Sequence, residues 1–235
     1  MIIDTLFDCT KDSTGPDPDG SSPTLCKYHQ HLWSKPLPSG KRFDLLVSRD
    51  TRYYLSHRSE LGNFYLTSDC IIHTYRDWKR TRDTMEALSQ QERDELWSVG
   101  WVIGSCVIFP GKRINGKHTI NETRGCHNQI LDRFDLTLEC IRLHYTGQEN
   151  PLDDTLQTYG DFFKLFETFQ GYVDHFLLQD LVTSDYSEVK FYLPFDDFQS
   201  SPLPRNVTEY REYWRLTKEF LKARNHRIST APMTK

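Results

Sequence analysis

No stretch of this 235-residue chain approaches 18 consecutive apolar residues, so no segment reads as a membrane-spanning helix. The first residues, Met1-Ile2-Ile3-Asp4, lack the basic region and following apolar stretch of a signal peptide. Cysteine occurs at six positions, Cys9, Cys26, Cys70, Cys106, Cys126 and Cys140, without a C-x-x-C pair or the ordered Cys/His spacing that zinc requires. The thiols are therefore expected to be reduced, no metal site is expected, and the chain reads as cytoplasmic and without a membrane partner. The sequons at Asn121 and Asn206 are then chance matches. A G-x-S-x-G elbow is also missing, which removes a common signature of acyl transfer.

With 37% hydrophobic and 26% charged residues, the composition is that of an ordinary globular protein rather than a disordered or fibrous one. A chain of this length buries roughly 70% of its unfolded surface and needs neither disulfides nor metal to fold. Aromatic residues make up 13%, an excess that suits a dense core, planar ligands, or both. The net charge of -4 conceals an asymmetry. Residues 200–235 carry eight Lys/Arg against three Glu, so that end is +5 and the rest -9. Such a basic end meets phosphates or an acidic partner, or forms a solvated helix face.

The Asp/Gly/Pro/Ser-rich segment 8–24 predicts a surface loop, and Tyr28–Gly40 a short helix running into a rigid extended loop. Strands are expected at Phe43–Val47, Tyr53–Leu55 and Asn63–Thr67. Asp69 is placed to cap a helix carrying Ile72, Tyr75, Trp78 and Met85, and Ser89 with Glu92 forms a capping box. Cys106–Phe109 reads as a buried strand stopped by Pro110. One long helix is expected from Asn121 to Tyr145, with Gly147 as terminator and a polar row of Asp132, Asp135, Glu139 and Arg142. Further helices are expected at 152–169, 172–182 and 207–225, with a strand at Val189–Leu193. The sum is a single α+β domain over 1–235, with a small mixed sheet and several packed helices, a loop-rich segment 1–24 and a basic helix and tail at 205–235.

Three constellations bear chemistry. Gly111–His118 nearly matches a phosphate-cradling loop, but His118 stands where that loop needs Ser or Thr for Mg²⁺; the alternatives are a nucleotide hydrolase or a basic turn. Arg113, Lys117, His118 and Arg124 sit beside an expected helix N-terminus, suited to an anion, although Arg124 also lies within reach of Asp132 or Asp135 as a structural network. Asp135 and Glu139, one turn apart, form a candidate acid–base pair or a charged face. Finally, Tyr28, His29, His31, Trp33 and Lys35, with Ser56-His57-Arg58-Ser59, set aromatic faces beside hydrogen-bonding groups, as a flat heterocycle requires, or as an ordinary core does.

The strings LWSKPLPSGKRFDL, YLSHRSELGNFYLTSDCIIHTY, VIFPGKRINGKHTIN, DRFDLTLECIRLHY and KFYLPFDDF resemble a widespread bacterial family of unknown function, from about Phe7 to Ile228. The chain also resembles the toxin of phage-defence toxin–antitoxin–chaperone systems, an ADP-ribosyltransferase. That resemblance implies an ADP-ribosyltransferase-like fold, NAD as substrate, nucleic acid as target, and an antitoxin protein with a chaperone as partners. It implies a catalytic carboxylate at Glu139 or Glu188, Tyr28 against nicotinamide, His57 and Ser59 on the amide or ribose, and Arg113 or Arg124 on the pyrophosphate. The usual three-strand pattern of His or Arg, then Ser or Tyr, then Glu is not legible. A non-enzymatic module that binds nucleic acid or protein is the alternative.

Overall fold

A computed structural model describes residues 1–49, 54–75 and 78–231. Its centre is a four-stranded sheet in the order β1 (Leu46–Val47), β2 (Leu55–Ser59), β3 (Gly62–Cys70) and β4 (Cys106–Pro110), antiparallel throughout. β2 and β3 form a hairpin closed at Ser59↔Gly62, and Gly62 takes φ +142, a value open to glycine. The expected strand at Asn63–Thr67 is longer at both ends. That at Phe43–Val47 shrinks to two residues, and Tyr53 lies outside the described residues.

Alternation along β3 sends side chains to two layers. On one face Ser68 meets His29 of α2 (Pro23–Trp33), with His29 Nε2 3.0 Å from Ser68 Oγ. On the other, Thr67 accepts from Asn121 Nδ2 at 3.5 Å and Asp69 pairs with Arg124, both on α5 (Ile120–Cys126). β4 is buried at all five residues, which matches its unbroken apolar run. Around this centre pack α6 (Phe134–Tyr145), α7 (Asp153–Thr158), α8 (Gly160–Lys164), α9 (Phe169–His175) and the 24-residue α10 (Val207–Thr230). The buried stripe of α10, Tyr210, Tyr213, Trp214, Thr217, Phe220, Leu221, Arg224 and Ile228, follows helical spacing.

Several expectations are corrected. The sheet is antiparallel throughout, not mixed, and the helix expected over 152–169 is divided into α7 and α8. The segment 8–24 is not all surface loop. It contains α1 (Pro18–Ser21), and Cys9, Asp19 and Ser22 are buried, because Asp side chains satisfy its backbone, as where Asp12 accepts from Thr24 N at 2.9 Å. Asp69 caps no helix; it lies in β3 opposite Val107, and after a 3-10 turn the next helix is only α3 (Arg82–Glu86). The long helix expected over 121–145 is broken between α5 and α6, where Leu131 and Asp132 take positive φ and Asp132 N donates to Arg124 O at 3.0 Å. Val189–Leu193 is not a sheet strand. Val189 makes an isolated bridge to Val182, while Tyr192 N donates to the buried Asp135 carboxylate at 2.9 Å and so leaves the ladder. The Ser89/Glu92 capping box opens α4 (Gln90–Ser98) as expected, with reciprocal bonds of 2.8 and 3.2 Å.

Candidate functional site

A groove of about 360 Å³ runs beside the β2–β3 hairpin, with His57 and Ser59 of β2 among its walls. His57 falls on the inward face of β2, is 4% exposed, and lies 4.4 Å from the Phe43 ring and parallel to Phe64 at 6.3 Å. Its Nδ1 is 2.9 Å from the Asp44 carbonyl oxygen. A carbonyl only accepts, so the ring proton sits on Nδ1 and Nε2 carries a lone pair. That Nε2 is buried and has no hydrogen-bond partner. Burial lowers the pKa of the imidazole, against the opposing pull of the Asp44 contact, and so favours the neutral ring.

Lys41, Arg42, Arg58 and Lys164 line the same groove with Glu60 and Glu167, four cations against two carboxylates. Lys41 pairs with Glu60 at 2.6 Å, Arg42 with Asp44 at 2.8 Å and Lys164 with Asp161 at 2.8 Å; Arg58 is exposed and makes no ion pair with a described residue. These cations come from positions more than a hundred residues apart, which is why sequence spacing did not reveal them. Ser59 Oγ accepts from Leu61 N at 3.2 Å, holding the hairpin turn.

A second polar cluster lies across the sheet. Arg124 is fully buried, and its Nη1 lies 2.6 Å from Asp69 Oδ2 and 2.5 Å from Asp132 Oδ1. Nη2 donates to the Asp132 carbonyl at 2.8 Å and Nε to Thr137 Oγ1 at 3.2 Å. The structural network anticipated for Arg124 is present, with Asp69 as the partner that spacing missed. Burial pushes Asp69 up to about 7 in spite of the guanidinium. Asp19, 4% exposed, is raised to about 8 by burial, by its hydrogen bond to Asp17 and by the charges of Asp17 and Asp69. The network fixes the α5–α6 break.

The remaining candidates lie elsewhere. Tyr28 belongs to a small separate core with Cys9, Leu25, Ile103, Cys106 and Ile228; its ring meets Phe7 edge-on at 6.1 Å and its hydroxyl accepts from Asp4 N at 3.3 Å. Arg113 is exposed and ion-paired with Glu122, whose carboxylate also completes the capping box of Thr119 at the start of α5. Lys117 Nζ reaches Thr158 Oγ1 at 3.4 Å. Glu139, 5% exposed, is held by both nitrogens of the Arg142 fork at 2.8 and 2.7 Å, and the exposed Glu188 acts electrostatically on the same Arg142. Of the candidates, His57 and Ser59 share the groove. Neither carboxylate lines the groove.

A larger cleft, about 730 Å³, lies between residues 1–3, the end of α2 and the end of α10. Lys35 lines it, and burial lowers its ammonium to about 8. Among the described residues no helix is long and apolar enough to cross a membrane. Residues 3–228, nearly the whole chain, match DUF6994, a family of unknown function, and the chain belongs to that family. No curated protein and no solved structure matches it significantly.

Proposed function

We propose that this member of DUF6994 is a cytoplasmic ADP-ribosyltransferase that takes NAD as substrate and nucleic acid as acceptor, restrained by an antitoxin protein and served by a chaperone. The observation that carries the reading is the hairpin groove. It sets a neutral His57 and the Ser59 hydroxyl among four cations, a combination suited to a ligand bearing both phosphates and hydroxyl or amide groups. Loss of nicotinamide gives the ribose oxocarbenium character, which a carboxylate stabilises. The proposed source is Glu139 or Glu188; both lie outside the groove's lining, so the reading places the phosphates within the groove and the reacting ribose beyond it.

The acceptor's phosphates are assigned to Lys79, Arg80 and Arg82, which are exposed and make no ion pair with a described residue. The basic C-terminal helix is less suited than its composition suggests. Arg205 pairs with Glu209, Arg211 with Glu92, Arg215 with Glu212 and Glu219, Lys218 with Glu95, and Arg227 with Asp180.

Incubation with NAD and RNA or DNA tests the reading, with nicotinamide release and a mass gain on the polymer as readouts. The wild type is expected to produce both, and Glu139→Ala or Glu188→Ala to lose at least about a hundredfold in rate, the scale of one removed transition-state contact. Polymer binding without nicotinamide release supports a non-enzymatic module instead; full activity in both variants removes these carboxylates from the chemistry.

A further inference from the structure

We propose that the cleft between residues 1–3, the end of α2 and the end of α10 is a binding site for an aliphatic monocarboxylic acid, with the hydrocarbon chain along its apolar walls and the carboxylate on the Lys35 ammonium. The cleft shares no lining residue with the hairpin groove, so this site stands or falls apart from the reading of that groove.

Size and walls set the class of ligand. A volume of about 730 Å³ lies within the ~300–1,000 Å³ range of small-molecule sites. Ile2, Ile3, Leu32, Leu177 and Ile228 give the walls aliphatic side chains, and Ile2 is 88% exposed. Aliphatic surface left in water at a concave site is recovered when a hydrocarbon chain covers it. No Phe, Tyr or Trp of the described residues lines the cleft, so a flat heterocycle finds no such ring to stack on.

Charge sets the head group. Of the described residues that line the cleft none is acidic, whereas Lys35 and Arg227 are cationic. Arg227 is already held by the Asp180 carboxylate, at 2.6 and 3.0 Å. Lys35, half-buried in the wall, makes no ion pair with a described residue; its Nζ donates to the Asp174 carbonyl at 3.4 Å and lies 5.4 Å from the Trp33 ring. The Asp174 carboxylate is engaged elsewhere, accepting from Gln179 Nε2 at 2.9 Å and from the Tyr186 hydroxyl at 2.8 Å. An ammonium has three protons to donate, and one without a counter-ion in a partly desolvated wall carries a cost that an incoming carboxylate offsets. His31, its pKa lowered by burial, adds a neutral hydrogen-bonding group and no competing charge. A polyphosphate would call for several unpaired cations; a single carboxylate matches this one.

Calorimetric titration of the wild-type protein with decanoate and with decanamide, each below its micelle concentration, tests the site. Decanoate is expected to bind at least about tenfold more tightly, the scale of a charge-assisted hydrogen bond. Lys35→Met, which keeps an apolar stem, is expected to bring the two affinities within about twofold. A second readout needs no variant: decanoate should protect Lys35, and not Lys41 of the hairpin groove, from acetylation by acetic anhydride, as read by peptide mass spectrometry. Equal binding of decanoate and decanamide, or an unchanged decanoate affinity in Lys35→Met, overturns the pairing with Lys35. Decanoate binding that leaves Lys35 unprotected places the ligand elsewhere and overturns the site, as does failure to bind at millimolar concentration.

Discussion

Three buried histidines set the acid side of this protein's stability. His29 accepts from Trp33 Nε1 at Nδ1, 2.9 Å away, so its other nitrogen donates to Ser68 Oγ; burial lowers its pKa to about 3. Burial also lowers His57, and His175 falls well below the ordinary value. In the unfolded chain each takes a proton near pH 6.5, while in the folded chain burial holds the proton off to lower pH, so over that interval falling pH favours unfolding by up to ~1.4 kcal/mol per pH unit for each. Asp19 and Asp69 work in the opposite sense. Raised to about 8 and about 7, they hold protons that the unfolded chain has released, so their contribution is greatest in acid and is lost as pH rises through those values. Just below pH 6.5 three histidines with lowered pKa values oppose two carboxyls and stability falls with falling pH, whereas above 6.5 the carboxyls alone make it fall with rising pH. Urea midpoints measured from pH 5 to 8 are therefore expected to peak near 6.5; a midpoint still climbing at pH 8 would contradict this balance. None of it was visible in the sequence, where His29 and His57 are polar letters in aromatic company and only burial separates a satisfied core imidazole from an orphaned one.

At the scale of elements, α9 shows how a close approach decides a residue. A Cβ on Gly171 would stand 2.1 Å from the Phe166 carbonyl oxygen and 3.0 Å from Pro38 Cγ, in the turn where Thr168 Oγ1 caps Gly171 N at 3.0 Å. Alanine gains up to ~1 kcal/mol in helix propensity, but the collision is with backbone and overpacking costs about 1–3 kcal/mol. Gly171→Ala is thus expected to destabilise, whereas Gly160→Ala, with nothing within 4 Å of its Cβ, should be neutral or stabilising; chemical denaturation of the pair checks the contrast, and a more stable Gly171→Ala protein would show that α9 can shift. Local signals were readable where local bonds decide: the Ser89/Glu92 box, and Gly147, which closes α6 at φ +68. The signals misled where a distant partner decides. Asp69 has the composition of a helix cap, and Asn121–Tyr145 has helical periodicity, yet Arg124 takes both Asp69 and Asp132 and breaks the helix between them. Apolar spacing reports which face is buried; it does not report that a guanidinium has claimed the intervening backbone.

The whole molecule converges on Arg224 of α10, a fully buried guanidinium whose partners are carbonyls. It donates to Gly104 O at 2.8 Å, Cys106 O at 3.0 Å and Phe176 O at 3.1 Å, and lies 5.7 Å from the Trp33 ring. One side chain thereby joins the last helix to the start of β4, the end of α9 and the end of α2. Burial lowers its pKa to about 10, so it remains charged at neutral pH, and the three carbonyl dipoles offset that burial. Arg224→Leu keeps apolar bulk but leaves three buried acceptors unpaired at about 1–3 kcal/mol each, an expected loss of at least ~3 kcal/mol. Since a domain's net stability is commonly about 5–15 kcal/mol, the variant should unfold at much lower urea. The loss should appear as one transition by both tryptophan fluorescence and far-UV circular dichroism, because the layers tied by Arg224 have no separate cores of comparable size. Two separated transitions in the wild type would divide the chain into independently folding parts, and an unchanged midpoint in Arg224→Leu would mean that water or rearranged backbone satisfies those carbonyls equally well. Basic composition at the chain's end suggested a phosphate-binding surface. The charge at position 224 instead faces inward, because a helix whose apolar stripe crosses three other elements needs a donor where their backbones end.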